Sequence, residues 1–430
     1  MVRFASVPRG VTGGLQECDT RRVGMRASAI VAACAVLGGL LCDCNSDEKP
    51  CSPVHRCVTV KPDGSGDYPT IQAAIEAAED GEVIELASGV FTGPGNRDLD
   101  NLGKAITIRS ATGDPEQCWI DCENSGSRGI DFHSGEGRGS ILEGVTIRRG
   151  AMFWASGAAV RCISASPTFI RCVFRENSAL VGGAALSCAH SSPLFIECEF
   201  ERNLGNQGTA AVDLFECQSV VLIDCRFSEN QADAGGTVVG AIRSSLEMIG
   251  CTCLGNGTNG MGGALWTVES SVVLERCVIV GSYAGYYGSC LSAWGGSVVI
   301  RHCTVSGSQS PADGGALCAI QGGRLLVEGS ILAFGGPGPS VACVDSSQIE
   351  VRCSDVFGNW VGDWVGCLEG QLGVDGNFSA DPRFCDLEGG DFHLGPESRC
   401  APDSNSACGL VGALQVGCQV SPTGRSLAGR

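Results

Sequence analysis

From about residue 58 the chain returns repeatedly to one short pattern in which apolar and polar residues alternate. Ile170-Arg171-Cys172-Val173-Phe174, Ile196-Glu197-Cys198-Glu199-Phe200 and Ile223-Asp224-Cys225-Arg226-Phe227 each read as a half-buried strand, with a charged residue before the cysteine in all three and after it in the last two. A longer period holds these strands in step. Cys172, Cys198, Cys225, Cys251, Cys277 and Cys303 recur at spacings of 26, 27, 26, 26 and 26. Five residues after the first four stand Asn177, Asn203, Asn230 and Asn256, and the last two units place Ser282 and Ser308 there. A small-residue element precedes the next strand of each unit, as in GGAAL at 182–186, GTAAV at 208–212 and GGALW at 262–266. Three marks on one period make a repeat architecture.

No segment of the repeat has helical spacing over a useful length. Short strands with Gly and Asn turns and no intervening helix wind into a coil whose turns pair in parallel. The predicted fold is all-β: a single right-handed parallel β-helix of about ten rungs. Successive rungs lie about 4.8 Å apart, so equivalent side chains form ladders. The cysteines then make an interior column of small apolar groups, since buried Cys behaves as a small hydrophobe. A metal array would need ligands two to four residues apart, and these are a rung apart; Cys251 with Cys253, and Cys118 with Cys122, are isolated exceptions. The asparagines make a turn ladder of stacked amides.

An open coil must cover its end strands. Ile71, Ala74, Ile75 and Ala78 fall on one helical face, with Thr70 or Pro69 at its start, so a short helix is expected to plug the first rung. The predicted organisation is a leader over 1–44, a linker over 45–57, a cap with a short helix over 58–90, rungs over 91–360, a cystine-rich cap over 361–418 and a disordered tail over 419–430.

Composition narrows the function. Hydrophobic residues make up 43% of the chain, enough for a real core. The net charge of −18 argues against nucleic acid, whose phosphates need a concentrated basic surface. Met25-Arg26 and the apolar run Ala27–Cys42 have the form of a secretory signal, too short to span a bilayer comfortably. Met25 is an alternative start, and Val31-Ala32-Ala33-Cys34 resembles a lipobox, making a lipid anchor at Cys34 the alternative to cleavage. The mature chain is therefore expected outside the cytoplasm (extracellular, surface-bound or periplasmic) with no transmembrane span, and as a monomer. Cys51, Cys57, Cys385, Cys400, Cys408 and Cys418 lie in loop-like sequence and read as disulfide partners.

Asp63–Gly89, with its DGSGDYPTIQAAIEAAEDG run, resembles the opening of pectin lyase-like β-helix proteins, pectinesterases included. The Phe-x-x-Asn marks ending at Asn177, Asn203 and Asn230, with the Gly-Gly-Ala marks, resemble the repeats of polymorphic outer-membrane proteins, which are autotransported adhesins. Together the resemblance covers roughly residues 57–360 and implies the β-helix. It implies far less about activity, because this fold hosts lyases, esterases and inert surface proteins alike. The membrane barrel of the adhesins has no counterpart after residue 360, and the catalytic segments of pectinesterases are missing. Trp119-Ile120-Asp121 is similar to a pectate lyase motif, but Cys122 stands where that motif has His, so it receives no catalytic weight.

The strongest candidate surface flanks the cysteine column. Stacking brings Glu197, Glu199 and Asp224 close, with Arg171 and Arg226 beside them. A lyase needs carboxylates that hold Ca²⁺ against an acidic sugar, and a base for the proton alpha to its carboxylate. Alternating charges on stacked strands more often form ordinary cross-rung pairs. The five histidines share no ligand spacing. Trp154, Trp266 and Trp294 could form a sugar-stacking stripe, although partly buried turn aromatics are the commoner case. The favoured reading is an exported, non-catalytic β-helix that needs no cofactor and binds glycan or a partner along its long face. The alternatives are a Ca²⁺-dependent polysaccharide lyase or related carbohydrate-active enzyme, and a structural spacer.

Overall fold

The computed structural model describes residues 56–311 and 314–418. The leader, the Cys34 anchor, Cys51 and the predicted tail lie outside the described residues.

The repeat winds into a coil of parallel strands. Its longest sheet has twelve strands, beside sheets of eleven, ten and six. The coil thus makes about twelve turns, not about ten, because the rungs at Val83–Leu86, Thr107–Ser110 and Ile141–Glu143 do not carry the Cys and Asn marks together. One rung shows the plan: Leu194–Ile196 joins the twelve-strand sheet, Glu199–Glu201 the eleven-strand sheet, Leu204–Gly205 the six-strand sheet and Val212–Phe215 the ten-strand sheet.

The segment Ile196–Phe200 is therefore not one strand. It turns a corner at Glu197, whose φ of 52° is left-handed, and the next rung does the same at Asp224 (φ 50°). Two more corners per rung use the same device, at Arg202 (φ 50°) and Glu216 (φ 53°). Each left-handed non-glycine residue costs about 1–2 kcal/mol, and the buried residue that follows it helps offset this. Asn203 follows Arg202; its Oδ1 accepts from the Asn177 backbone N–H at 3.1 Å and the Asn177 Nδ2 at 3.1 Å. At the corner after the ten-strand sheet, Ser244 Oγ accepts from Cys217 N–H at 3.0 Å.

All six ladder cysteines are buried at the first corner. The register Trp119↔Thr146↔Val173 places Cys118 and Val145 at the head of the same column, so Cys118 is not an exception. Ser330 and Ser354 continue the column: Cys303 N–H donates to Ser330 Oγ (3.0 Å), and Ser330 N–H to Ser354 Oγ (3.1 Å). Cys253 instead lies inside the eleven-strand sheet, below the stacked rings of Phe174, Phe200 and Phe227, whose centroids are 4.9 and 4.7 Å apart.

Helix α1 (Ile71–Ala77) buries Ile71, Ala74 and Ile75 over the first rungs, and the Thr70 hydroxyl caps it by accepting from Ala73 N–H at 3.2 Å. At the other end the last rung closes at Asp355–Phe357, and the chain folds back along the coil. Gly412 N–H donates to the Gly329 carbonyl (2.7 Å) and Ala413 N–H to Thr304 Oγ1 (3.0 Å). Three disulfides tie this region, Cys343–Cys367, Cys353–Cys408 and Cys385–Cys418. Cys400 is not among them. It is a buried thiol that donates to Asp355 Oδ2 at 3.3 Å, which corrects its reading as a disulfide partner.

Candidate functional site

The five charged candidates fall into two columns. Glu199 and Arg226 are exposed partners in adjacent rungs of the eleven-strand sheet. Glu197 and Asp224 stand on the corner column, where the left-handed backbone directs them away from that strand face. Arg171 occupies the same corner one rung earlier and forms an ion pair with Glu143. The column of Glu199 and Arg226 does not run on as an open groove. Val278, Thr304, Ile331 and Asp355 continue it and are buried, with the returning C-terminal segment against Thr304 and Asp355. Among the described residues, no three His, Cys, Asp or Glu side chains converge as a metal site would require.

Trp119-Ile120-Asp121 is a structural knot. Asp121 is fully buried and accepts from Arg148 Nε and Arg149 Nε, each at 2.8 Å, while the Arg148 guanidinium lies 4.0 Å from the Trp119 ring. Burial pushes the Asp121 carboxyl up, but these cations and the Glu123 N–H outweigh it and hold the group below the usual carboxylate range.

A different face is organised for contact. On the ten-strand sheet the register stacks Ile163, Ala189, Phe215, Ile242, Val268 and Trp294 into one outward column. Ile163 and Phe215 are each 38% exposed, and the others are half-buried. The neighbouring outward column runs Arg161, Ser187, Asp213, Gly240, Trp266 and Ser292. Trp266 and Trp294 are thus strand residues and not turn aromatics, whereas Trp154 is a loop residue, 88% exposed. Trp294 Nε1 donates to Ser292 Oγ at 3.1 Å, which fixes the indole. Arg161 Nε donates to Asp131 Oδ1 at 2.9 Å.

Asp213 is the residue on this face that sequence reasoning missed. Its carboxyl takes a hydrogen bond from the Thr209 hydroxyl at 3.3 Å, and burial pushes its pKa up to about 6. The available signal was its place directly after the small-residue element GTAAV at 208–212, in the column that Trp266 joins two rungs on.

Residues 120–262 and 156–332 match the family described as the right handed beta helix region. The chain is a right-handed parallel β-helix. No curated protein matches its sequence. Among solved structures, the pectate lyase Pel9A is 15% identical with a TM-score of 0.49, over 84% of this chain and 96% of that one. Pectin methylesterase from carrot is 14% identical with a TM-score of 0.31, over 77% of this chain and 90% of that one. A mannuronic acid specific polysaccharide family 6 lyase from human gut microbiota is 8% identical, TM-score 0.32, over 76% and 91%. Likenesses of this degree carry no argument about activity.

Proposed function

We propose that this chain is an exported, non-catalytic β-helix that binds a polysaccharide along the outward face of its ten-strand sheet. The observation that carries the reading is the unbroken column from Ile163 to Trp294 beside the partly exposed polar side chains of Arg161, Ser187 and Asp213. Six rungs span roughly 24 Å at about 4.8 Å per step, a strip suited to an extended glycan. Apolar and aromatic faces pack against the C–H faces of sugar rings, while adjacent polar groups meet the hydroxyls. Export is supported by the three disulfides, which belong to an oxidising compartment. No described helix is long and apolar enough to cross a membrane.

The non-catalytic side of the reading rests on the charged patch. Its candidate base Arg171 is engaged by Glu143, and an Arg base is demanding in any case, with a free pKa above about 12. The test is affinity electrophoresis of the purified protein through a polysaccharide panel, with and without Ca²⁺, while absorbance follows any unsaturated product. Retardation by at least one polymer, weakened in Phe215→Ala and Trp294→Ala, is expected, with no absorbance growth. Product growth abolished by Asp224→Ala would make the protein a lyase. Retardation unchanged in both variants would remove the ten-strand face from the reading.

A further inference from the structure

The six ladder thiols form one contiguous file. Strand register on both sides of the corner keeps them in step, from Ile170↔Ile196 and Val173↔Glu199 down to Glu275↔Arg301 and Val278↔Thr304. Along the file, Cys198 shares side-chain hydrogen bonds with Cys172 and Cys225, and Cys277 with Cys251 and Cys303. A further such bond between Cys225 and Cys251 joins the two halves. The wide sequence spacing that excludes a chelate within one loop therefore makes rung neighbours nearest neighbours in space.

The sulfurs also receive backbone amides. Cys277 N–H donates to Cys303 Sγ at 3.4 Å. The N–H groups of Cys172, Cys198 and Cys251 reach the sulfurs of Cys198, Cys225 and Cys277 in the same way. A hydrogen bond donated to sulfur favours the thiolate, the form that ligates metal. The amide itself does not require sulfur, since Ser330 Oγ takes the Cys303 N–H at 3.0 Å one rung on. Packing does not require it either, since Val145 fills the same column near its head. Neither role calls for six thiols in succession.

The spacing does suit a ligand. Rungs lie about 4.8 Å apart. A metal–thiolate bond is about 2.3 Å long, so two sulfurs on opposite sides of one cation stand about 4.6 Å apart. Linear coordination by two sulfurs is the habit of soft monovalent cations with a filled d shell, for which thiolates are the preferred ligands. Such a site takes two ligands, so the lack of three converging ligands among the described residues does not bear on it.

We propose that the cysteine column binds soft monovalent cations of the Cu⁺ and Ag⁺ class, one to each pair of adjacent rungs: Cys172 with Cys198, Cys225 with Cys251, and Cys277 with Cys303. Each cation displaces one thiol proton to solvent and is left between one thiolate and one thiol. The site is then neutral, which avoids the cost of burying a net charge. All six residues are buried, so the cation enters as the rungs close around it. The inference is independent of the glycan reading, because the column lies inside the coil and not on its ten-strand face.

The test refolds the full chain from guanidinium with its disulfides intact, in nitrate buffer containing Ag⁺, and counts the silver retained after gel filtration. Two triple variants remove equal numbers of thiols in different patterns, and serine keeps the amide capped as Ser330 does. Cys198→Ser with Cys251→Ser and Cys303→Ser leaves thiols only on alternate rungs, and should bind three cations fewer than wild type. Cys251→Ser with Cys277→Ser and Cys303→Ser leaves three thiols on adjacent rungs, and should bind two fewer. Equal losses in the two variants would mean that thiols bind singly and would overturn the proposal, as would a refolded wild type that retains no silver. X-ray absorption at the silver edge of the loaded wild type needs no variant. It should show two sulfur neighbours, and nitrogen, oxygen or a third sulfur in the shell overturns the linear site. Circular dichroism checks each variant, and if either fails to fold the wild-type spectrum decides alone.

Discussion

Replacing Asn230 by Ala should be among the most damaging single changes in this coil. Asn230 Oδ1 accepts from the Asn203 backbone N–H at 3.1 Å and from Asn203 Nδ2 at 2.9 Å. Its own Nδ2 donates to the Phe200 carbonyl at 2.9 Å and to Asn256 Oδ1 at 2.9 Å. The residue is fully buried, and Asn203 is 1% exposed. Alanine strands the Asn203 N–H and one of its amide hydrogens, and the Phe200 carbonyl loses its side-chain donor. A buried group left without its partner costs about 1–3 kcal/mol, and contacts within one network are not additive, so a loss of about 3–5 kcal/mol is expected. Because neighbouring rungs stabilise one another, the damage should spread first to the flanking rungs.

Guanidinium unfolding measures the loss as a lower midpoint at unchanged slope, and hydrogen exchange at the Asn203 amide localises it. Asn230→Leu separates hydrogen bonding from the loss of side-chain atoms: it keeps the number of heavy atoms but none of the bonds, so it should cost at least as much as alanine. A loss below about 1 kcal/mol in Asn230→Ala, or recovery in Asn230→Leu, would refute the ladder as a hydrogen-bonded device.

Ser282 stands in the same column, but its hydroxyl is buried without a hydrogen-bond partner. Ser282→Asn should extend the ladder and raise the unfolding free energy by about 1 kcal/mol, read as a higher midpoint, and no gain would mean the lower rungs are spaced too differently to accept it. Burial pushes Asp355 up to about 7, above its ordinary value of 3.8, so the folded state keeps a proton that the unfolded chain has lost. Its contribution is therefore fully present below about pH 4 and falls as pH rises through about 7. Hydrogen exchange over residues 378–416 should be slower at pH 5 than at pH 8 after correction for intrinsic rates, and Asp355→Asn should flatten the difference. Burial also pushes the thiols of Cys172, Cys225, Cys251 and Cys303 up. They should resist alkylation until denaturation, whereas mass mapping should find Cys385 joined to Cys418; rapid labelling of the native ladder would contradict the buried column.

The period and the two ladders were legible because they rest on identity at fixed spacing, and so was helix α1, because four apolar residues share its face. The corners were not. An alternation such as Ile196–Phe200 looks the same whether the strand runs straight or breaks at its second residue, since Glu197 and Asp224 give no glycine warning. Gly250 and Gly329 occupy the same left-handed corner, with φ of 65° and 57°, and were the overlooked sign. The turn count fell short where early rungs pack Val145 in place of Cys. The C-terminal return was hidden for a different reason: its contacts to Gly329 and Thr304 are backbone and hydroxyl bonds between distant segments, and they follow no period.

Those hidden features decide which face of the coil is left for a ligand. The eleven-strand sheet meets the C-terminal segment over Thr304 and Asp355. The loop bearing Arg138 crosses the upper half of the twelve-strand sheet. Its carbonyl accepts from the Thr168 hydroxyl at 2.9 Å, its guanidinium reaches the Ser219 carbonyl at 3.5 Å, and the outward Leu194 nearby is fully buried. The ten-strand sheet keeps exposed apolar side chains at Ile163 and Phe215 with indoles two and three rungs further on. Each apolar side chain left partly exposed in such a column forgoes a fraction of the roughly 1.5–3 kcal/mol that full burial brings. The column's persistence on the face that neither the loop nor the C-terminal return crosses is what a binding surface requires.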